Sequence, residues 1–398
     1  MSRRGAPSAT ARNGAALVYT QGIVTEFQLI IASRRDFGYT SDTQRIHNGS
    51  ASNPEESASM YQPKYAITGT LLARIGDAEA LRAKVQAAPV QVAWLESIRL
   101  DTLVRRAHFS TAIEGNPLTL PEVEALAGAK QASTTDRARR EVLNYFAALR
   151  WIARRPQGQP ITMDGILRLH RLLMTGLLSV GQVGAFKRSR NVIMSAGRVV
   201  YEPPGPGAAA PGTEALAQWL ELAASSTHPI IASACAHYEI ARLHPFLDGN
   251  GRAARALATW VLSRRGFDTH HLFAVDQYFK EDHEGYYQAL QRVRNEDEDL
   301  TSWLEYVALA VLDTLGRTYQ RIEQLALPAS AEGLSLTRQQ ERLLLELRGK
   351  RGMTVQELQR LLGVERVQVY RVLRPLVSKR IVDKSATRPV VYRLASKR

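Results

Sequence analysis

Between Ala78 and Gln324 apolar residues recur at helical spacing in ten successive segments. These are Ala78 to Ala87, Gln91 to Phe109, Leu120 to Ala127, Asp136 to Arg154, Met163 to Thr175, Gly212 to Ser225, Pro229 to Leu243, Gly251 to Arg265, Glu281 to Asn295 and Asp299 to Gln324. A period of 3.6 residues puts one apolar stripe on each segment, and such stripes are buried by packing helix on helix. The expected fold is therefore mainly α. One interruption stands out. In RNVIMSAGRVVYEPP, two β-prone runs, Asn191 to Met194 and Arg198 to Glu202, flank Ser195, Ala196 and Gly197, which predicts a small hairpin ended by Pro203, Pro204 and Pro206.

The ends of the chain differ from this middle. Residues 1 to 60 hold Ser-, Asn-, Gly- and Ala-rich runs without sustained periodicity and read as a flexible extension, with the folded part starting near Met60. After Pro328, the run PASAEGLS (328–335) reads as a linker into a second unit over 337–398. Three amphipathic helices and two strands follow it, with Thr354 as N-cap and Gly363 at the inter-helix turn. This order predicts a winged helix-turn-helix domain. Arg366 to Lys379 is its expected recognition helix, with Arg366, Gln368, Tyr370 and Arg371 available to DNA. From Ala331 onward there are 16 Lys and Arg against 6 Asp and Glu, so most of the net charge of +14 lies in this tail and favours an acidic partner. The alternative is a domain that serves dimerisation or docking.

Composition narrows the remaining classes. At 398 residues, 45% hydrophobic and 23% charged, the chain has room for two or three soluble domains. A single cysteine, Cys235, excludes a disulfide framework and any Cys-rich zinc site, and suits a reducing cytoplasmic setting. No transmembrane helix or signal peptide is expected.

Chemistry concentrates in HPFLDGNGRAAR, His244 to Arg255. The residue before a proline leaves the α region, so the preceding helix should end at His244. The chain then turns, and Gly251 opens the next helix. Backbone N–H groups of Gly249, Asn250 and Gly251 at a helix start make an anion site, to which Arg252 and Arg255 add guanidinium groups. Asp248 can hold a magnesium ion shared with bound phosphates. His244 is suited to take a proton from an incoming hydroxyl. Each residue alone has an ordinary structural explanation, a helix end or a plain turn. Their combination points to nucleotide chemistry.

At every defined position this loop resembles the signature of the Fic family, His-Pro-Phe-x-(Asp or Glu)-Gly-Asn-Gly-Arg-x-x-Arg. The similarity extends from about Tyr61 to Leu325, and its boundaries divide this part into a helical region over 61–128 and a catalytic core over 129–327. The resemblance implies a helical core with a hairpin flap, and transfer of AMP from ATP to a Ser, Thr or Tyr hydroxyl of a target protein, with magnesium. It assigns His244 as base, Asp248 as metal ligand, Gly249 to Gly251 as anion hole, and Arg252 and Arg255 as triphosphate contacts. Asn250, Arg252 and Arg255 join His244 in the catalytic set, and Tyr286 and Tyr287 correspond to a segment lining the family's adenosine pocket. The family also contains variants that transfer other phosphate-linked groups, but both glycines beside Asn250 favour adenylylation. The hairpin corresponds to a flap that pairs with an extended target segment.

A second stretch, FSTAIEGNP, fits the family's inhibitory pattern through Ser110, Glu114 and Gly115. Glu114 would form a bidentate ion pair with Arg255 and occupy the guanidinium meant for the γ-phosphate. The same glutamate could instead orient a water for AMP removal. Two functions stay open at this point: a self-inhibited protein adenylyltransferase, or an ATP-sensing DNA-binding transcriptional regulator with little transfer. Expected partners are a target protein and DNA, without a membrane, and a homodimer is the assembly considered.

Overall fold

Side chains cap several of the helix starts in this protein. The computed structural model describes residues 61–395 except 89–91, 129–134, 196–197, 224–225, 269–270, 326–336, 349, 351 and 387. The expected extension over 1–60 and the linker over 328–336 therefore lie outside the described residues, as do Gln91 and Ser225.

Helix α1 (Gly69–Ala87) begins at Gly69 rather than Ala78 because the Thr68 hydroxyl caps it, accepting from the N–H of Leu71. Next come α2 (Val92–Ile113), α3 (Leu120–Gly128), α4 (Arg137–Ala153), capped by Asp136, and α5 (Met163–Met174), capped by Thr162. The expected hairpin forms as β1 (Ile193–Ser195) antiparallel to β2 (Arg198–Tyr201), with Ser195 opposite Arg198. Helices α6 (Ala209–Leu222), α7 (Pro229–Leu243) and α8 (Asn250–Arg264) follow.

The helix expected over Glu281 to Asn295 forms as α10 (His283–Asn295), and a helix that was not expected, α9 (Val275–Glu281), precedes it. They part at Asp282, whose carboxylate accepts a hydrogen bond from the hydroxyl of Tyr306 in α11 (Thr301–Leu325).

α7 and α8 form the centre, packed extensively on each other and buried along nearly their whole length. Alanines at 232, 234, 236, 253, 254 and 256 let them approach closely, while Trp260, Tyr238 and Trp303 fill the surrounding space. α1 lies along α11, and its Leu71 and Ala78 enter this same core. The HPFLDGNGRAAR loop is the connection between the two central helices. Rigid elements therefore hold it at both ends.

The C-terminal unit has its own core, formed by Leu343, Leu347, Leu358, Val369, Leu373, Ile381 and Tyr392. Its helices are α12 (Arg338–Arg348), α13 (Val355–Leu362) and α14 (Arg366–Ser378). Thr354 and Glu357 make a reciprocal capping box at the start of α13, and Gly363 ends it at φ 65°. The sheet has three strands rather than the two expected. A short β3 (Met353–Thr354) pairs with β5 (Val391–Leu394), which also pairs with β4 (Val382–Lys384). Two residues are too few to register as a strand in sequence. The result is a winged helix-turn-helix. Arg366, Gln368, Tyr370 and Arg371 are all exposed on α14. Among the described residues no helix is long and apolar enough to cross a membrane.

Candidate active site

α7 stops at His244, which adopts the left-handed region at φ 45° and ψ 55°. Pro245 disfavours the α region at this position, and histidine tolerates the left-handed one better than most side chains. The turn closes at Gly249, whose φ of 80° suits glycine. An added Cβ there would also lie 2.4 Å from Met174 Sδ.

Asn250 braces this turn from inside. Its Oδ1 accepts from the N–H of Phe246 at 2.9 Å, and its Nδ2 donates to the Phe246 carbonyl at 2.9 Å. This side chain is buried and its amide is engaged with the loop, while its backbone lies at the helix start. The Gly249 N–H is likewise occupied, donating to Asp248 Oδ1 at 2.6 Å.

A further brace comes from His170 on α5. The Gly184 N–H donates to its Nδ1 at 3.0 Å, so Nε2 carries the proton and donates to the Asp248 carbonyl at 3.0 Å. The ring stacks on Phe246 with centroids 3.8 Å apart. Burial pushes the His170 pKa down to about 4, which keeps this neutral tautomer. Lys187 ties the loop to the hairpin: its Nζ donates to Asn191 Oδ1 at 2.8 Å, and Asn191 Nδ2 donates to the Phe246 carbonyl at 3.0 Å.

His244 is half-buried. Its Nδ1–H donates to the Ala241 carbonyl at 3.3 Å, leaving a lone pair on Nε2. Its pKa falls to about 4, chiefly through burial, with the charge of Lys187 adding to the fall. At neutral pH the imidazole is thus uncharged and able to accept a proton.

Both arginines of the loop are buried on α8. Arg255 donates through Nε to Ser110 Oγ at 2.8 Å, and through Nη2 to the Ser110 carbonyl at 2.9 Å and to Glu114 Oε1 at 2.7 Å. Asp276 lies behind it, with Oδ1 3.7 Å from Nε. The Glu114 contact therefore uses one carboxylate oxygen instead of the expected bidentate pair, because Ser110 already takes the Nε edge. Burial raises the Glu114 pKa, but the adjacent Arg255, with Arg252 and His244, holds it below the ordinary carboxylate value. Its carboxylate also covers the start of α8, since a Cβ added at Gly251 would lie 2.4 Å from Glu114 Oε1. An acidic group thus sits against the N-terminus of α8. Gly115, at φ 88°, turns the chain away immediately after Glu114.

Arg252 faces two carboxylates at longer range, Glu141 Oε1 at 3.4 Å and Asp248 Oδ1 at 3.5 Å. Asp248 Oδ2 is 3.6 Å from Arg137 Nη2. Among the described residues no group of three or more His, Cys, Asp or Glu could cage a metal. Asp248 is nonetheless a partly exposed carboxylate beside the anion site, and magnesium commonly takes one or two carboxylates plus phosphate oxygens. The donor set fits an ion that arrives with a nucleotide.

Of the two tyrosines, Tyr286 is buried, and its hydroxyl is 2.9 Å from His237 Nε2. It packs in the aromatic core with Phe279 and Trp303. One turn position further on, Tyr287 is exposed. Sequence reading missed His170, Lys187, Asn191, Glu141, Arg137 and Asp276. None has a spacing that links it to the loop.

Comparison with known proteins agrees with this geometry. Residues 160–262 match the Fic/DOC family, and residues 333–398 match the family described as sugar-specific transcriptional regulator TrmB. Protein adenylyltransferase Fic of Drosophila willistoni is 32% identical over 198 residues, covering 49% of this chain and 39% of that protein. Its counterpart in Drosophila ananassae is 30% identical over 222 residues, covering 55% and 44%. The chain thus spans roughly two-fifths of the length of these relatives. Among solved structures, a Fic family protein from Desulfovibrio desulfuricans G20 is similar with a TM-score of 0.61 at 24% identity, covering 85% of this chain and 99% of that one. Fic-1 from C. elegans reaches 0.54 at 24% identity, covering 64% and 74%. The stretch that matches the Fic/DOC family, residues 160–262, carries the whole of the His244 to Arg255 loop.

Proposed function

We propose that this chain is a protein adenylyltransferase held in check by Glu114. The observation that carries the reading is one constellation: a neutral His244, an arginine-supported helix start, and a glutamate seated on Arg255. In the reaction, His244 Nε2 takes the proton of a target Ser, Thr or Tyr hydroxyl. The hydroxyl oxygen bonds to the α-phosphorus of ATP, the bond to the bridging oxygen breaks, and pyrophosphate leaves. Arg252 and Arg255 hold the charge that moves onto the leaving group. Asp248 would hold magnesium, which supplies further charge neutralisation on the phosphates. The hairpin offers an edge for an extended target segment. The curated relatives named as protein adenylyltransferases support this chemistry.

The test uses Glu114→Gly protein, magnesium, a cell extract and ATP labelled on the α-phosphate. Label on protein that disappears when His244→Ala is added supports transfer. A protein that binds ATP and never labels counts against it.

The acid limb of kcat/KM supplies a second expected outcome. A base in the free enzyme with a pKa of about 4 is fully deprotonated at neutral pH and is lost only as pH falls through that value. The rate should stay level between about pH 6 and 8 before any acid decline. An acid limb centred near 6.5 would show that His244 is not held neutral, or is not the base.

A second reading is favoured by one observation, the exposed basic face of α14 in a domain matching TrmB. In it the chain binds DNA and uses the Fic/DOC domain to sense nucleotide. Arg366, Arg371 and Arg374 are all exposed on that helix. Binding to duplex DNA should weaken steeply with salt, and removing one phosphate-contacting arginine should lower the log–log slope by about 1. Salt-independent binding would rule out this use of the helix.

A further inference from the structure

Arg252 is buried, yet its Nε and Nη1 make no hydrogen bond. Such groups are normally paired, and leaving them unpaired is costly. Glu141 Oε1 faces Nη1 at an ion-pair distance of 3.4 Å. That same oxygen lies 3.4 Å from Arg137 Nε. The other oxygen, Oε2, accepts from Asn116 Nδ2 at 3.0 Å.

Asn116 belongs to the turn that carries Glu114. Its N–H donates to the Thr111 carbonyl at 3.1 Å, and its side chain also donates to the Ala138 carbonyl on α4 at 2.9 Å. One carboxylate is thus divided between the Glu114 turn and the loop arginine.

We infer that Glu141 is a positioning residue for Arg252, and that Asn116 restrains it while the Glu114 turn is docked. The inference rests on reading the loop as a nucleotide-phosphate site. With the turn in place, Asn116 holds Oε2 and keeps the carboxylate from completing a fork with Arg252. Once the turn leaves, both oxygens can accept from the guanidinium and fix it toward the helix start. The turn then governs two arginines: Arg255 directly through Glu114, and Arg252 indirectly through Asn116 and Glu141. The unpaired N–H groups of Arg252 are the mark of the restrained state.

The experiment reads ADP binding by calorimetry on the full chain in a Glu114→Gly background. ADP lacks the γ-phosphate assigned to Arg255, so its affinity reports chiefly on Arg252. Glu141→Gln should weaken ADP binding about tenfold, the size expected for losing a hydrogen bond to a charged group. Asn116→Ala should tighten it about threefold, and this gain should vanish when combined with Glu141→Gln, as coupled neighbours require. Unchanged ADP affinity in Glu141→Gln overturns the proposal. So does an Asn116→Ala effect of equal size with and without Glu141. Should Glu141→Gln fail to fold, Asn116→Ala alone decides, since no tightening removes the restraint. AMP transfer is scored separately. Absent transfer with the ADP pattern intact would count against the adenylyltransferase reading and leave the role of Glu141 standing.

Discussion

Glu114→Gly is expected to raise AMP incorporation from ATP by about 10- to 100-fold, the range set by the worth of a hydrogen bond between charged groups. Arg255 is buried and donates to Glu114 Oε1 at 2.7 Å, so a γ-phosphate must displace that carboxylate before the triphosphate can settle. A triphosphate excluded from this guanidinium binds with its α-phosphorus out of line for attack, and small misplacements cost large factors in rate. Removing the carboxylate does not strand the arginine. Ser110 still accepts from Nε and Nη2, and Asp276 remains 3.7 Å away. Glu114→Gln should give an intermediate rise, because it keeps the shape of the contact and loses its charge. Rates of label incorporation at saturating ATP check both variants. Equal incorporation by Glu114→Gly and the unmodified chain would remove Glu114 from any inhibitory role.

His244→Ala, made in the Glu114→Gly background, should lower transfer by about 10²- to 10⁴-fold, the usual contribution of a placed general base. Its ADP affinity should change little, because the phosphate-binding groups lie on α8 and the His244 ring is held by the Ala241 carbonyl on α7. The split between rate and affinity matters. His244 also occupies a left-handed position at the end of α7, so a purely structural role would disturb the loop and weaken ADP binding together with the rate. A fall in both would shift His244 from base to loop support.

Much of this site can be read directly because it is contiguous. Between His244 and Arg255 the chain order itself sets out a helix end, a turn and a helix start, and the Ser110 to Gly115 pattern is equally local. Roles that depend on packing are hidden. Glu141 lies in ARREVLNYF, where alternating charge and apolar residues read only as an amphipathic helix with a solvated face. It reaches Arg252 because α4 packs against α8, a contact that no sequence spacing announces. His170 and Asp276 are hidden for the same reason. Tyr286 and Tyr287 are adjacent residues on a helix that face different ways, and only Tyr287 is exposed. The short helix Val275–Glu281 was missed because seven residues are too few to show a sustained helical period. In the C-terminal unit the helices and their caps are local and legible, while the two-residue β3 exists only by pairing with β5.

The central claim is that AMP, rather than phosphate, moves from ATP to a protein hydroxyl. Parallel incubations of Glu114→Gly protein with ATP labelled on the α-phosphate and ATP labelled on the γ-phosphate test it most directly. AMP transfer leaves the α-label bound covalently to protein, with the γ-label recovered as pyrophosphate. Label on protein from the γ-phosphate, with none from the α-phosphate, would contradict it and make the chain a phosphotransferase.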